Sequence, residues 1–272
     1  MVAFPNAKIN IGLNIVGKRH DGYHNLQTIF YPIAFNDVLE IIEHKGEGAQ
    51  SLFAATGIAV PGDSASNLCV KAYDLLKKDF PQLPSASIHL HKCIPMGAGM
   101  GGGSADAAFT LTLLSNKFSL NIPAAQLQDY ALQLGSDCPF FLINKPCLAT
   151  GRGEVLQTLS IDLSTYKILI VHPGIHISTA LAFTQVTPAE NQKDLAKLIA
   201  APVAEWRNEI TNDFEKPVFY AYPEIGDIKN KLYSQGAIYA SMSGSGSTVY
   251  GIFPGGEAHL VSFPTHYFQK WV

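Results

Sequence analysis

The chain has 272 residues, of which 47% are hydrophobic and 15% are charged, and its formal net charge is −3. This composition is too apolar for a disordered chain, and the length suffices for one large or two modest domains with a buried core. The slightly negative charge excludes a bulk electrostatic attraction to nucleic acid or to an anionic membrane, so a site for an anionic ligand has to be built locally.

The first predicted element is a strand over residues 7–16, where apolar and polar side chains alternate. One face of this strand is expected in the core, and Lys8 and Asn10 lie on the opposite, polar face, about 6.5–7 Å apart. A Lys in such a place is more often a solvated surface charge than a functional group. The Asp21-Gly22 pair that follows indicates a tight turn into a second strand.

The remaining predicted elements mix strands and helices along the whole chain. In order they are strands over 26–33, 38–44 and 51–55, a helix from Leu68 capped by Asn67, a strand over 87–94, helices over 104–114 and 123–135, a strand over 166–171, helices over 194–207 and 224–234, and two strands that flank residues 243–247. A loop over 150–154 and a linker over 160–165 place a domain boundary near residues 155–165. The predicted domains are residues 1–158 and 159–272.

The most informative segment is PMGAGMGGGSA, which lies between a predicted strand and a predicted helix and holds five glycines in the seven positions from 97 to 103. Glycine permits a positive φ and lets a ligand approach the backbone closely, and N–H groups at a helix N-terminus form a cradle for a di- or triphosphate. The alternative is a flexible linker or a packing turn, which the directly following helix disfavours. The residues of this predicted phosphate cradle are Pro95, Met96, Gly97, Ala98, Gly99, Met100, Gly101, Gly102, Gly103, Ser104 and Ala105.

Two common nucleotide-binding motifs do not fit this segment. Gly97, Gly99 and Gly102 match G-x-G-x-x-G, but the acidic residue that a dinucleotide-binding fold places about 20 residues later is missing. A Walker P-loop is excluded because no Lys follows the glycines before Lys117.

Three further segments contain residues that suit a binding or catalytic site. Asp137 in LGSDCPFF has apolar neighbours and would suit a general base, although such an Asp more often bonds local amides. Tyr23 and His24 in DGYH would stack on and bond a base or sugar, or form an ordinary hairpin. The SGSGS segment, residues 243–247, would close on phosphate or form a simple turn, and it lacks the G-x-S-x-G of a hydrolase.

The cysteines and histidines give no evidence for disulfides or for a metal site. Cys69, Cys93, Cys138 and Cys147 contain no C-x-x-C pair, which predicts free, buried thiols in a reducing compartment. No His pair has a further ligand at a spacing that completes a metal site. The chain shows no signal peptide and no apolar run of 18 residues, so a cytoplasmic protein that does not span a membrane is expected.

Taken together, these segments resemble the GHMP small-molecule kinases. That family has an N-terminal strand with a Lys, a central glycine loop and a C-terminal glycine-rich loop, which here are AKINIGL, PMGAGMGGGSA and MSGSGS. The segments DGYHNLQTIF, LGSDCPFF, ATGRGE, HPG and NDFE extend the resemblance from residue 7 to about residue 253. DGYH and LGSD separate the chain from the mevalonate and homoserine kinases. Ala98 and Ala105 depart from the family pattern, which more often has glycine and serine there.

The resemblance implies a two-domain α+β kinase fold with the active site in the cleft between the domains, residues 1–158 forming the ATP-binding domain. It implies that ATP, which brings its own Mg²⁺, phosphorylates the 2-hydroxyl of 4-diphosphocytidyl-2-C-methyl-D-erythritol, in the non-mevalonate route to isoprenoid precursors. Asp137 would accept the hydroxyl proton, while Lys8 would hold Asp137 ionised and stabilise charge near the attacking oxygen. The glycine loop would wrap the ATP phosphates.

The resemblance also implies how the acceptor substrate is held. Asn10 would orient the methylerythritol hydroxyls, Tyr23 and Phe183 would sandwich the cytosine ring, and His24 would bond its polar edge. A GHMP kinase for homoserine, mevalonate or a sugar would explain the glycine loops but not this aromatic clamp. A binding module without turnover is the other alternative, and the presence of both Lys8 and Asp137 disfavours it. No oligomeric state is predicted.

Overall fold

The computed structural model describes residues 1–44, 51–188, 193–256 and 260–272. Its packing divides the chain into two compact units, and both are discontinuous in sequence. Unit 1 comprises Met1–Ala7, Ala34–Met96 and Gly101–Lys145. Unit 2 comprises Lys8–Ile33, Gly97–Met100 and Pro146–Val272. The packing therefore does not follow a single cut in the chain, and the division at residue 158 stays a prediction about the sequence.

The described elements come in runs of strands and runs of helices, and most paired strands are antiparallel, as is typical of an α+β protein. The strands are β1 (Val2–Ala3), β2 (Asn6–Lys18), β3 (His24–Asn36), β4 (Val38–Glu43), β5 (Ser51–Gly57), β6 (Ala86–Lys92), β7 (Cys147–Thr150), β8 (Val155–Thr158), β9 (Tyr166–His172), β10 (Tyr239–Met242), β11 (Val249–Pro254) and β12 (Phe268–Trp271). The α-helices are α1 (Leu68–Asp79), α2 (Gly102–Lys117), α3 (Ala124–Leu134), α4 (Cys138–Ile143), α5 (Thr179–Thr184), α6 (Leu195–Leu198), α7 (Glu215–Ala221) and α8 (Pro223–Ser234). Two 3₁₀ turns cover Ser64–Ser66 and Val203–Asn208.

Unit 1 is a four-stranded sheet whose buried face is covered by helices. The strand order is β1-β4-β6-β5, and only the β5–β6 pair is parallel. Leu39 and Ile41 of β4 and Ile88 and Leu90 of β6 alternate toward the core, where they join buried residues of α1, α2 and α3. The predicted cap of α1 is confirmed, since the Asn67 side chain accepts a hydrogen bond at the start of the helix.

Unit 2 contains two four-stranded sheets, β2-β3-β7-β8 and β10-β11-β9-β12. The predicted turn between the first two strands is confirmed, because Gly22 has a φ of +85° and the Asp21 carboxylate accepts from the backbone N–H of Tyr23 at 3.1 Å. The predicted strands around residues 243–247 are likewise present as β10 and β11. The core of this unit includes apolar residues of β2, β9, β11 and α8.

The prediction of one helix over residues 194–207 is wrong. The helix α6 is only four residues long, and the chain resumes as the 3₁₀ turn Val203–Asn208. Pro202 separates the two because it has no N–H to continue the helix. The short strands β7 and β8, four residues each, were not predicted; they form a hairpin whose turn is the predicted loop over 150–154.

The predicted helices that begin at Leu68, after Pro123 and near Glu224 are confirmed as α1, α3 and α8, and α2 begins at Gly102, two residues earlier than predicted. All four cysteines are free thiols, three buried and one half-buried. Among the helices in the described part of the chain, none combines the length and apolarity needed to cross a membrane.

A buried ion cluster ties the end of β6 to α2 in unit 1. Lys92 contacts a carboxylate oxygen of Asp37 and lies 2.8 Å from Oδ2 of Asp106. The other oxygen of Asp37 accepts from the N–H groups of Cys93 (2.6 Å) and Ile94 (2.8 Å). Oδ1 of Asp106 is buried and has no hydrogen-bond partner among the described residues. Burial, opposed by Lys92, raises the pKa of the Asp106 carboxyl to about 7.

Asp106→Asn is expected to remove a pH-dependent loss of stability. The folded protein keeps a proton on Asp106 up to about pH 7, whereas the unfolded chain releases it near pH 4. The wild-type free energy of unfolding therefore falls between these pH values, by up to about 1.4 kcal/mol per pH unit from this group. In urea denaturation at pH 5 and pH 8, the stability of the variant relative to wild type should rise with pH.

A difference between variant and wild type that is the same at both pH values would contradict this assignment. Asp37→Asn serves as the matched control, because both carboxylate oxygens of Asp37 accept hydrogen bonds, from Lys92 and from two backbone N–H groups. Asp106, in contrast, has one oxygen without a hydrogen-bond partner among the described residues. Breaking this buried pair should destabilise the protein by about 3–5 kcal/mol at pH 7.

Candidate functional site

The polar face of β2 is buried, and Lys8 is held there by hydrogen bonds. Lys8 and Asn10 are only 3% and 2% exposed, which excludes the ordinary alternative of a solvated surface lysine. The Lys8 ammonium group donates to Oδ1 of Asn10 at 2.5 Å and to the carbonyl oxygen of Gly99 at 3.3 Å. It also lies 4.7 Å from the ring centroid of Phe30. The structure thus brings three of the predicted site residues together.

Both the backbone and the side chain of Asn10 are hydrogen-bonded to other residues of unit 2. Its Nδ2 donates to Oγ1 of Thr28 at 3.0 Å, its N–H donates to Oγ of Ser243 at 3.1 Å, and its carbonyl accepts from the hydroxyl of Tyr250 at 2.9 Å. The Ser243 hydroxyl also donates to the Gly99 carbonyl at 2.8 Å. Sequence reasoning included Ser243 only as part of the 243–247 segment, and it missed Thr28 and Tyr250. The second Nδ2 hydrogen of Asn10 makes no hydrogen bond to any residue that the structure describes.

The glycine loop adopts a backbone that few other residues tolerate. Gly97, Gly99 and Gly101 have φ values of +64°, +76° and +69°. At Gly99 a Cβ would also lie 2.1 Å from the carbonyl oxygen of Ser243, so both conformation and close packing require glycine. The neighbouring Ala98 is buried, and its side chain therefore does not face solvent.

The loop ends in the first turn of α2, where backbone N–H groups are available to an anion. Gly101 caps the helix, and the N–H of Ala105 makes the hydrogen bond to the carbonyl of Gly101 that begins the helical ladder. A Cβ at Gly102 would lie 2.9 Å from the Lys92 ammonium, so packing requires glycine there. At Gly103 a Cβ would meet only a Leu68 carbon at 3.9 Å. Packing therefore gives no reason for the glycine at 103.

Asp137 lies in unit 1, whereas Lys8 lies in unit 2. Asp137 is half-buried in the turn between α3 and α4, and its carboxylate makes no capping hydrogen bond to α4, whose first turn contains Pro139. Burial raises the pKa of the neighbouring Cys138 thiol to about 12, so this thiol stays protonated and does not compete as a base.

The predicted aromatic residues form two separate contacts in unit 2. The rings of His24 and Phe183 are stacked, with centroids 5.1 Å apart and planes at 16°. Phe183 is supported from its edge by Phe214 at 4.9 Å and 89°. The Tyr23 ring is 55% exposed and lies 5.0 Å from the guanidinium carbon of Arg152. Sequence reasoning missed Arg152 and Phe214, although both lie in segments that carry the family resemblance.

The described residues contain no cluster of three or more His, Cys, Asp or Glu side chains suited to a metal ion. His89 and His91 instead bond the hydroxyl of Thr56, at 3.1 and 2.9 Å, on the exposed side of the unit 1 sheet.

Comparison with known proteins identifies relatives over nearly the whole chain. Residues 67–145 match the family described as GHMP kinases N terminal domain, and residues 192–262 match GHMP kinases C terminal. A protein of Cytophaga hutchinsonii named 4-diphosphocytidyl-2-C-methyl-D-erythritol kinase is 50% identical over 254 residues, which cover 93% of this chain and 92% of that relative.

Among solved protein structures, the chain is likewise similar to kinases of this family. A crystal structure of 4-(cytidine 5'-diphospho)-2C-methyl-D-erythritol kinase is 31% identical, with a TM-score of 0.80, and the match covers 94% of this chain and 91% of the other. The mevalonate kinase of Methanococcus jannaschii is 15% identical with a TM-score of 0.71, covering 93% and 90% of the two chains. This second likeness concerns the fold alone.

Gly103→Ala should separate ligand binding from stability. Alanine is a better helix former than glycine by up to about 1 kcal/mol, and the added methyl group meets no close protein atom. The melting temperature should therefore stay the same or rise. If phosphate approaches the first turn of α2 closely, the KM for ATP should rise at least about tenfold, the equivalent of 1.4 kcal/mol.

Gly17→Ala is the matched control, because a Cβ there meets nothing within 4 Å and Gly17 has no positive φ. It should leave the KM for ATP unchanged. An unchanged KM for ATP in a folded Gly103→Ala variant would remove this position from the phosphate cradle.

Proposed function

Because this chain belongs to the GHMP kinase family, we propose that it transfers the γ-phosphoryl group of ATP to the 2-hydroxyl of 4-diphosphocytidyl-2-C-methyl-D-erythritol. The observation that carries the choice of acceptor is the 50% identity, over 93% of the chain, to a kinase named for that compound. Such a reaction forms a phosphate ester of the alcohol and releases ADP. The step would belong to the non-mevalonate route to isoprenoid precursors.

Lys8 supplies positive charge where the transferred group becomes more negative. Phosphoryl transfer depends chiefly on positioning and on charge stabilisation, and both are stronger in a site with little water. The Lys8 ammonium group is buried and held by the Asn10 side chain and the Gly99 carbonyl, so its position is defined before substrate binds. Both of these acceptors, Oδ1 of Asn10 and the Gly99 carbonyl oxygen, are neutral groups.

Asp137 acts as the general base that accepts the proton of the acceptor hydroxyl. Its place in a turn after α3, next to the apolar start of α4, limits the water around the carboxylate. These features support the assignment that the resemblance implies.

The segment from Pro95 to Ala105 binds the phosphates of ATP. Its support is the positive φ at Gly97, Gly99 and Gly101, together with the N–H groups at the start of α2. Mg²⁺ arrives with ATP as part of the substrate, since the described residues offer no carboxylate cage for it. The Ser104 hydroxyl is the side-chain group of the loop that would contact phosphate or the metal.

Aromatic residues of unit 2 bind the cytosine ring. Tyr23 and Phe183 provide the stacking faces and His24 bonds the polar edge of the base, and the exposed Tyr23 ring is already accessible. The stacked His24 and Phe183 rings require His24 to turn aside when the base takes its place on Phe183. Asn10 contributes its remaining Nδ2 hydrogen to the methylerythritol hydroxyls.

The cytoplasm is the compartment that suits this chemistry. ATP is available there, and the four free cysteines fit a reducing environment. Small-molecule substrates are the partners that the reaction requires, and the net charge of −3 provides no bulk attraction to nucleic acid.

The direct test is an assay of the purified chain with ATP and the cytidyl acceptor, in which a new phosphate ester is followed by phosphorus NMR. We expect turnover by the wild type, and Asp137→Asn should lower kcat by at least about 10²-fold, the low end for loss of a general base. The KM for ATP should hardly change, because the substitution keeps the shape of the side chain. Near-normal turnover by this variant would remove Asp137 from the mechanism, and no turnover by the wild type would refute the proposed reaction.

Tyr23→Ala and Phe183→Ala test the identity of the acceptor. Stacking of a base on an aromatic ring contributes about 1–3 kcal/mol, so each variant should raise the KM for the cytidyl substrate roughly 5- to 150-fold. The KM for ATP should change much less. Tyr220→Ala is the control, since this tyrosine on α7 is 91% exposed. If the aromatic variants lost ATP affinity instead, the rings would bind adenine.

A further inference from the structure

The NDFE segment, residues 212–215, has no role in the site described so far. It lies in unit 2 at the start of α7, and a parallel β-bridge joins Asn212 to Leu13 of β2. Backbone hydrogen bonds of 2.9 and 2.8 Å on the two sides of the bridge hold the segment in place. It is thus anchored on the strand that carries Lys8 and Asn10.

The side chain of Asn212 clamps the loop that follows β10. Asn212 is 3% exposed, and its Nδ2 donates to the carbonyls of Met242 and Gly244, both at 2.8 Å. Its Oδ1 accepts from the N–H of Phe214 at 2.9 Å. The two carbonyls belong to the residues on either side of Ser243. Asparagine fits because its amide group presents two donors and an acceptor, whereas an ionised aspartate of the same shape has no donor.

Glu215 reinforces the same loop from the other end of the segment. Its Oε1 accepts from the N–H of Met242 at 2.9 Å and from the hydroxyl of Ser241 at 3.2 Å. Its Oε2 accepts from the ammonium group of Lys229 at 2.6 Å. The carboxylate is therefore paired and bonded, and it fixes the end of β10 directly before Ser243.

Ser243 connects this clamp to the lysine. Its fully buried hydroxyl accepts from the N–H of Asn10 at 3.1 Å and donates to the carbonyl of Gly99 at 2.8 Å. Asn10 and Gly99 are the same two residues that accept from the Lys8 ammonium group. A shift of Ser243 would therefore move the acceptors that hold Lys8 in place.

We propose that Asn212 is a positioning residue for phosphoryl transfer, which acts through Ser243 on the hydrogen bonds that orient Lys8. The proposal rests on the proposed function for its kinetic consequences. The hydrogen bonds themselves can be tested without substrate.

Asn212→Asp keeps the shape of the side chain and removes both donors. At pH 8 we expect kcat to fall roughly 10- to 100-fold, the range that a small misplacement of a catalytic group costs. The KM values for ATP and the cytidyl acceptor should stay within about threefold of wild type. As the pH is lowered from 8 to 6, kcat relative to wild type should recover in part, because a protonated carboxyl group regains one donor.

The substrate-independent readout is the hydrogen exchange of the Asn10 amide, measured by NMR. This N–H donates to Ser243, so Asn212→Asp should accelerate its exchange at least about tenfold. Asp213→Asn is the matched control from the same segment, because Asp213 accepts from the N–H of Ile15 and an amide oxygen can replace that acceptor. The control should leave both kcat and the Asn10 amide unchanged.

Ser243→Ala keeps the proposal falsifiable if Asn212→Asp does not fold. It should lower kcat and accelerate Asn10 exchange in the same way, and the double variant should lose less than the product of the two single losses. A folded Asn212→Asp variant with normal kcat and normal Asn10 exchange would overturn the proposal. So would a control that loses as much as the variant, or Ser243→Ala with no effect. Absence of turnover by the wild-type protein would refute the proposed function. The hydrogen exchange of the Asn10 amide would still show whether Asn212 positions Ser243.

Discussion

The carbonyl oxygen of Gly99 is the point on which the arrangement of unit 2 depends. It accepts from the ammonium group of Lys8 and from the hydroxyl of Ser243, and it can do so only because Gly99 has a positive φ and no side chain. One backbone group thereby joins β2, the glycine loop and the loop after β10. A buried ammonium group is costly unless its hydrogen bonds are satisfied, so these acceptors fix where Lys8 can lie.

The reaction needs few side chains because phosphoryl transfer depends on position and charge more than on covalent chemistry. That demand explains why so many polar groups in unit 2 are buried and hydrogen-bonded, among them Asn10, Asn212 and Ser243. In unit 1 the cluster of Lys92, Asp37 and Asp106 has a comparable effect on the start of α2. In both units, buried hydrogen-bonded side chains therefore restrict the glycine-rich backbone beside them, namely the glycine loop in unit 2 and the start of α2 in unit 1.

The sequence predicted those parts of the molecule that local chemistry determines. Alternation placed β2, Asn67 marked the start of α1, and the run of glycines marked a loop before a helix. It could not show that Lys8 is buried, because that depends on Gly99 and Ser243, which lie 91 and 235 residues away in the chain. It missed β7 and β8, whose four-residue lengths carry too little periodicity, and it joined α6 to the following 3₁₀ turn across Pro202. The roles of Arg152 and Phe214 depend on long-range packing that no single segment reveals.

The choice among related kinases is tested most directly by comparing acceptors side by side. The measurement is kcat/KM at saturating ATP for 4-diphosphocytidyl-2-C-methyl-D-erythritol, homoserine and mevalonate, with one preparation of the wild-type chain. The account predicts that the cytidyl compound exceeds the other two by at least about 10³-fold, because a site that bonds and stacks a base loses those contacts with acceptors that lack one. An equal or larger kcat/KM for homoserine or mevalonate would contradict it.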